Sequence, residues 1–485
     1  MKMNISTKRI MQAICLLTVV AACDKDLEPY DSKSNEAALA TAGDLQIATY
    51  GTYAGLVFDQ YIHTQHQMGE FGGDNTALSG TSGSHWYNVY NYTHFPGMTV
   101  TTQFWSQAYK VVFSANQIIA RIEEGRSPEL DQLKGENLFI RALVHFDLVK
   151  FFGRPYPQGQ GENPGIVIQK NATQEIYPLR STVKEVYDFI IADLEKAATL
   201  MTEEKTSSYA SKEVAYALLS RIYLYKEDNE KAIEYANLVV NSNRYQLLPT
   251  STYKTYFTAI PDGNAETIFA IRHMLVDNRN KGSIGSQYYT DGTSGWGQMY
   301  ASLDFMKLIN QYPEDARHSF IEIKLASNGV DTLKRGNVPQ FFVNKHIGQE
   351  GAINLSSPVI LRLAEMYLNR AEANAKLGND ELAIDDVNLI RERAGLSGTA
   401  LYTTGDLKNH NSVLDVVLEE RRLELAFEAH RPLDLYRNDR TLVRAYPGFH
   451  SQDRFHQTIL PTDKRVVFYI PEREIIVNPN LTQNP

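Results

Sequence analysis

Apolar residues recur along most of the chain at spacings of three, four and seven, the period of helices with one buried face. From Thr41, Leu45, Ala48, Thr49, Thr52 and Leu56 share one side of a helix. Residues 103–124 repeat the pattern with Phe104, Ala108, Val111, Val112, Ala115 and Ile119, and residues 132–152 with Leu138, Ala142, Phe146 and Val149. Thr182-Val183-Lys184-Glu185 fits a capping box, in which hydroxyl and carboxylate each satisfy a backbone N–H, and Val186, Ile190, Leu194 and Ala197 continue its face. In 214–240, Tyr216, Leu219, Ser220, Tyr223, Ala232, Ala236 and Val239 follow tetratricopeptide spacing, with small residues where the two helices of a hairpin touch. A second copy is predicted over 357–393. Ser357 is its N-cap, Pro358 its first turn, Ile360, Ala364, Tyr367 and Ala371 its stripe, Gly378 its end, and Asn379 opens the partner helix. Helices 132–152 and 182–200 make a third hairpin, split by the proline loop 154–180, and 413–427 begins a fourth. Such hairpins bury their faces by stacking, so the expected fold is mainly α with few short strands, one of them within Glu266–Ile271.

Two stretches break the helical period. Residues 59–100 and 277–300 are rich in Gly, Ser and aromatic residues, and Gly72, Gly73, Gly80 and Gly83 allow backbone that helices do not. Long loops in compact domains are usually functional or disordered, and the Trp and Tyr content of these argues against disorder.

Val413–Arg437, VLDVVLEERRLELAFEAHRPLDLYR, is apolar on two flanks yet carries Glu419, Glu420, Arg421, Arg422, Glu424 and Glu428. Charges buried there must be paired, because an unpaired buried ion costs several kcal/mol, roughly. Glu419 with Arg422 and Arg421 with Glu424 are the pairs that helical spacing offers.

Composition adds compartment more than fold. The formal net charge is −9, or −12 without the three cations of residues 1–22, which argues against phosphate-backbone binding, since that needs a basic stripe. Lys2, Lys8 and Arg9 precede a short apolar run, Ile10 to Val20, too short to span a bilayer, so residues 1–22 read as a secretory signal. Val20-Ala21-Ala22-Cys23 resembles a lipobox, which makes Cys23 the lipidation site and residues 23–40 a tether. Cys15 leaves with the signal, so no internal disulfide is expected. The acidic cluster Asp24-Lys25-Asp26-Leu27-Glu28 resembles a surface-export signal of Bacteroidetes lipoproteins.

The segment ERRLELAFEAHRPLDLYR, ending at Arg437, and the closing VFYIPEREIIVNPNLTQNP, Val467 to Pro485, resemble the C-terminal signatures of the SusD/RagB family. Asp315 and Arg317 resemble a structural Asp-x-Arg element of that family, and Gly153-Arg154-Pro155 its turn after the 132–152 helix. The resemblance implies a SusD-like helical scaffold of two regions, 41–240 and 241–485, packed into one globule. It implies a non-catalytic outer-membrane lipoprotein, exposed at the cell surface, that binds glycan and passes it to a SusC-like TonB-dependent transporter. The alternatives are a peptide-binding import subunit and a surface glycosidase.

Sugar recognition combines flat aromatic faces with paired polar groups. Trp105 lies in a helical pattern and reads as core. Trp86, Tyr87, Tyr90, Trp296 and Tyr300 lie on the two loops and are the expected stacking residues, with Asp74, Asn75 and Asn278 as polar partners. His63, His66, His85 and His94 form no metal motif, and no P-loop, G-x-S-x-G or dinucleotide fingerprint appears, so neither metal nor cofactor is expected.

Overall fold

The computed structural model describes residues 39–79, 86–173, 175–450, 453 and 456–485. The signal segment, Cys23, the acidic cluster after it, Gly80, Gly83 and His85 lie outside the described residues. The chain divides after Ala48 into two units, and helix α1 spans Ala42–Val57. Thr49, Thr52 and Leu56 of α1 are buried, as their spacing predicts.

After α2 (Ile62–Glu70) and strand β1 (Thr76–Leu78), the helices α3 (Thr99–Arg121), α4 (Pro128–Phe152), α5 (Val183–Leu200), α6 (Lys212–Lys226) and α7 (Asn229–Val240) pack each on the next. Ser127 caps α4 by accepting Leu130 N–H at 3.2 Å, with Pro128 in the first turn where its missing N–H is harmless. The capping box of α5 forms: Thr182 Oγ1 accepts Glu185 N–H at 3.1 Å, and Glu185 Oε2 accepts Thr182 N–H at 2.8 Å. Helix α4 is buried on nearly all sides, and its Arg141 is closed by Asp193 of α5 through two bonds of 2.7 Å. In the α6–α7 hairpin, Ser220 Oγ donates to Ala232 O at 3.1 Å, where the small residues bring the helices together.

Among the described residues the strands form five two-stranded antiparallel ladders. Strand β2 (Thr267–Ala270) falls where alternation predicts it. β3 (Met299–Ala301) pairs with β1, β4 (Ile321–Ile323) with β7 (Phe341–Val343), and β5 (Lys334–Arg335) with β6 (Val338–Pro339). β8 (Val359–Arg362) pairs with β2 and corrects the expected helix start. Val359 and Ile360 are β-branched and complete the ladder that β2 alone cannot satisfy. Ser357 therefore caps nothing; its hydroxyl accepts His273 N–H at 3.0 Å. Helix α8 (Leu363–Leu377) begins after the strand and ends at Gly378, whose φ of +79° suits glycine. α9 (Asp380–Arg393) returns against it, and α10 (Val413–Glu424) packs on both.

Helix α10 also ends earlier than the apolar pattern suggests, and α11 (Arg431–Arg437) follows a sharp turn. Phe427 and Ala429 take left-handed backbone, at φ +65° and +66°, which costs side-chain-bearing residues energy. The carboxylate of Glu70 holds that turn by accepting Phe427 N–H at 3.2 Å and Ala429 N–H at 2.9 Å.

The charges of α10 are paired, but not with each other. Arg317 donates to Glu420 at 2.6 Å and Arg391 to the same carboxylate at 2.8 Å. Glu424 accepts from Arg362 at 2.5 Å and from Arg393, and Tyr253 Oη donates to it at 3.1 Å. Arg421 turns to Asn369, Glu372 and Asp434, Arg422 to Asn75 and Asp74, and Glu419 to His410. The expected Glu419–Arg422 and Arg421–Glu424 pairs are thus replaced by partners from distant segments. A buried guanidinium has five N–H groups to satisfy, and one carboxylate a turn away cannot do it. Asp315 likewise closes on Arg317, as its resemblance implies.

The C-terminal signature is pinned to α4. Asn484 Nδ2 donates to Phe152 O at 2.9 Å and Phe468 N–H to Phe151 O at 2.9 Å. Arg180 holds Thr482 O and Asn484 Oδ1 from the proline loop.

Candidate functional site

The two aromatic loops, far apart in sequence, meet through the β1–β3 ladder, with Thr76 opposite Ala301, Ala77 opposite Tyr300 and Leu78 opposite Met299. Ser79 N–H extends it to Gln298 O at 2.9 Å. Ser302 fastens the other end: its N–H donates to Asn75 O and its Oγ to Asp74 O, both at 2.7 Å.

That stitching decides which predicted residues face outward. Tyr300 is fully buried; its Oη donates to Gly297 O at 2.5 Å and accepts from Gln340 at 2.7 Å. Asp74 is buried between Arg431, which donates at 2.6 and 3.0 Å, and Arg422. Burial opposes its ionisation, but the two guanidinium charges win and hold the carboxyl well below the usual carboxylate range. Asn75 is buried, accepting Arg422 Nε–H at 2.9 Å. Tyr90 is buried under the Arg444 guanidinium, 3.8 Å from its ring centroid, and beside His450. Trp86 is 5% exposed, with its ring edge-on to Phe71. Burial thus corrects the expectation for three of the stacking residues, Trp86, Tyr90 and Tyr300, and for two of their polar partners, Asp74 and Asn75, all of which are packed inside the protein. Tyr87 is half-buried against Phe449, at 5.6 Å between centroids. Asn278 is half-buried and folds its own turn, its Oδ1 accepting Asn280 N–H at 3.0 Å.

Trp296 is different: it is 49% exposed yet held in place. Its backbone N–H donates to Ser286 O at 2.7 Å and its Nε1–H to Lys281 O at 3.1 Å. Lys281 Nζ stands 5.2 Å from the ring centroid, and Arg335 donates to Trp296 O at 3.4 Å and Gly297 O at 3.2 Å. The flanking glycines are required. A Cβ at position 295 would sit 2.0 Å from Tyr289 O, and Gly297 has φ +50°. Asp291 closes the turn that precedes Trp296, accepting Thr293 N–H at 2.8 Å and Ser294 N–H at 2.7 Å, which holds its carboxyl well below the usual range. Sequence reasoning missed Lys281 and Arg335. Lys281 lies in the Gly-rich loop itself, but a cation there had no stated role.

A second exposed ring, Phe58, lies under Arg279, whose guanidinium carbon is 5.4 Å from the centroid. Arg279 and Lys281 belong to one short turn, so that turn places a cation over each of two exposed rings. An open groove of about 580 Å³ lies elsewhere, bordered by Tyr109, Phe113, Asn171, Ile176 and Val477, and none of the eight predicted residues lines it. Its tryptophan, Trp105, is buried, as its helical pattern predicts, and the Tyr109 hydroxyl is taken by Val167 O at 2.8 Å.

Comparison with known proteins settles the lineage. The SusD family model matches residues 276–485, and a model described as starch-binding and associating with the outer membrane matches residues 31–224. A SusD superfamily protein from Bacteroides vulgatus of known structure is 30% identical, with a TM-score of 0.80 over 92% of this chain and 99% of that one. The chain belongs to the SusD family. Within it, the SusD-like protein P2 of Formosa agariphila is 26% identical over 98% of each chain. The starch-binding protein SusD of Bacteroides thetaiotaomicron is 25% identical over 63% of this chain and 64% of that one. The mainly-α fold and the C-terminal resemblance are thereby shown, and the SusD-family match over 276–485 includes Lys281, Trp296 and Arg335.

Proposed function

We propose that this SusD-family chain is a non-catalytic, oligosaccharide-binding lipoprotein of the outer membrane, lipidated at Cys23 and exposed at the cell surface. In this reading it takes glycan on the Trp296 face and delivers it to a SusC-like TonB-dependent transporter. The observation that carries the reading is the Trp296 indole: half-exposed, fixed by two backbone-mediated bonds, and ringed by loop polar groups. An aromatic face that is rigid and wet suits the apolar C–H face of a sugar, and its rigidity limits the entropy lost on binding. Starch binding by the Bacteroides relative supports the ligand class.

Affinity-gel electrophoresis and calorimetry against a glycan panel test it. Trp296→Ala should weaken the bound glycan about tenfold or more, the size of a lost stacking contact of roughly 1.4 kcal/mol. Equal binding by the variant, or tighter binding of peptides than of any glycan, overturns the reading.

A further inference from the structure

We infer that the sugar taken at Trp296 is negatively charged, bearing a carboxylate or a sulfate ester; this rests on the reading of Trp296 as the glycan platform. The chain as a whole is acidic, with a formal net charge of −9, so a cationic rim around its one exposed indole among the described residues runs against the average. Lys281 and Arg335 are exposed, Lys281 over the ring and Arg335 on the backbone carbonyls of Trp296 and Gly297, and exposed Lys334 precedes Arg335 on β5. Among the described residues none of the three has a carboxylate within 4.0 Å. Their neighbours do: Arg279 faces Asp59 at 3.6 Å and Lys324 faces Glu322 at 3.7 Å.

The nearby acids are committed elsewhere. Asp291 spends Oδ1 on the N–H groups of Thr293 and Ser294 and Oδ2 on the Ser294 hydroxyl at 2.8 Å. Asp277 closes its own turn by accepting Met274 N–H at 2.6 Å. Arg335 is oriented by two carbonyls through Nη1 alone, and its remaining N–H groups have no protein partner among the described residues. A planar guanidinium with free N–H groups matches the two oxygens of a carboxylate or sulfate, and charge-assisted bonds of this kind are about twice as strong as neutral ones. A neutral sugar ring stacked on Trp296 gains little from unpaired cations, since its hydroxyls are served as well by uncharged amides. A ring with an anionic substituent at its edge has Lys281 or Arg335 to meet it.

The test uses the mature protein and polysaccharides in matched pairs: uronate polymers native and carboxyl-reduced, and sulfated galactans native and desulfated. In affinity gels and calorimetry at about 50 mM salt, the charged member of at least one pair should bind about tenfold or more tightly than its neutral counterpart, and the preference should shrink at about 500 mM as the charges are screened. The Lys281→Gln/Arg335→Gln variant should lose that preference while its melting temperature stays within about two degrees, because exposed cations contribute little to stability. The responding pair tells carboxylate from sulfate. Absence of preference in both pairs, or its persistence in the variant, overturns the inference. If neutral members bind and Trp296→Ala weakens them, the glycan platform stands without the charge. If no member of any pair binds and Trp296→Ala changes nothing, the platform falls as well.

Discussion

The interior around α10 and the surface around Trp296 handle the same residue types in opposite ways. Inside, Arg317, Arg362, Arg391 and Arg393 are almost fully buried, and each is closed by Glu420, Glu424, Glu428 or Glu266. Outside, Lys281, Lys334 and Arg335 are exposed without an acid partner among the described residues. Aromatic rings follow the same division: Tyr253 lies under Arg393 with no exposure, whereas Trp296 lies under Lys281 half in solvent. The cation–aromatic motif is therefore not itself the sign of a site. Buried and neutralised, it fastens segments distant in sequence; exposed and unneutralised, it leaves capacity for a ligand.

Acid should break the interior first, and this is the largest effect expected. Burial lowers His63, His145, His273 and His346 to about 4 and His94 to about 3. A histidine kept neutral in the folded chain but free to protonate near 6.5 when unfolded contributes stability that is intact above 6.5 and lost as pH falls toward 4. Each unit of separation is about 1.4 kcal/mol per group. Glu70, raised by burial to about 7, works the other way between 7 and 4.5, and the carboxyls of Glu136 and Asp193, also raised by burial, act in the same direction as Glu70, but the histidines dominate. Below pH 4 the carboxylates of Glu372 and Glu424, which burial opposes but adjacent guanidinium charges hold well below the ordinary range, add to the loss. Thermal unfolding followed from pH 7.5 to 4 (about half-unit steps) should show a steep fall starting near 6.5. A flat profile down to 5 would mean that these rings are hydrated in solution.

Glu424→Ala should come next. Glu424 has no solvent exposure and answers Arg362, Arg393 and Arg317, so its loss leaves guanidinium charge uncompensated at a cost of about 3–5 kcal/mol. Denaturant midpoints should drop accordingly, while glycan affinity of the molecules still folded stays unchanged. Glu424→Gln keeps acceptor geometry without charge and should fall between the two. A shift in affinity without a shift in midpoint would couple the two regions and dissolve the contrast drawn above.

How much of this was legible in the sequence follows the same division. The hairpins were, because Thr182, Gly378 and the stripes of Ala and Tyr act over a few residues. The β8 strand was not, since Val359 and Ile360 take their conformation from a partner strand at 267–270 that local pattern does not reveal. The ion pairs of α10 were placed on the wrong partners for the same reason: Arg317, Arg362 and Arg393 arrive from elsewhere. Trp86 and Trp296 sit in loops of similar composition but separate in the structure. Trp86 opens the short helix Tyr87–Asn91, whose Val89 and Tyr90 drag it into the core, whereas Trp296 stands between glycines that offer it nothing apolar to join.

Those glycines supply the smallest and most discriminating effect. At position 295 an added methyl meets the Tyr289 carbonyl at 2.0 Å, a backbone atom that cannot swing aside as a side chain tip would. The segment carrying Trp296 must shift, at a stability cost of about 1–3 kcal/mol if the contact were in a packed core and toward the low end here, where the loop borders solvent. The displacement acts on Trp296 N–H and Gly297 N–H, which share Ser286 O at 2.7 and 3.0 Å, and through them on the indole's seat over Lys281 O. Gly295→Ala should therefore lower glycan affinity several-fold while moving the melting temperature by only a few degrees, the inverse of Glu424→Ala. Indole fluorescence reports the cause directly, because Trp86 and Trp105 are buried and the exposed emission comes from Trp296. If Gly295→Ala alters that emission and weakens binding together, ring position is what the ligand reads. If the emission shifts and affinity holds, the ring is only a loop anchor, and recognition belongs to the cations beside it.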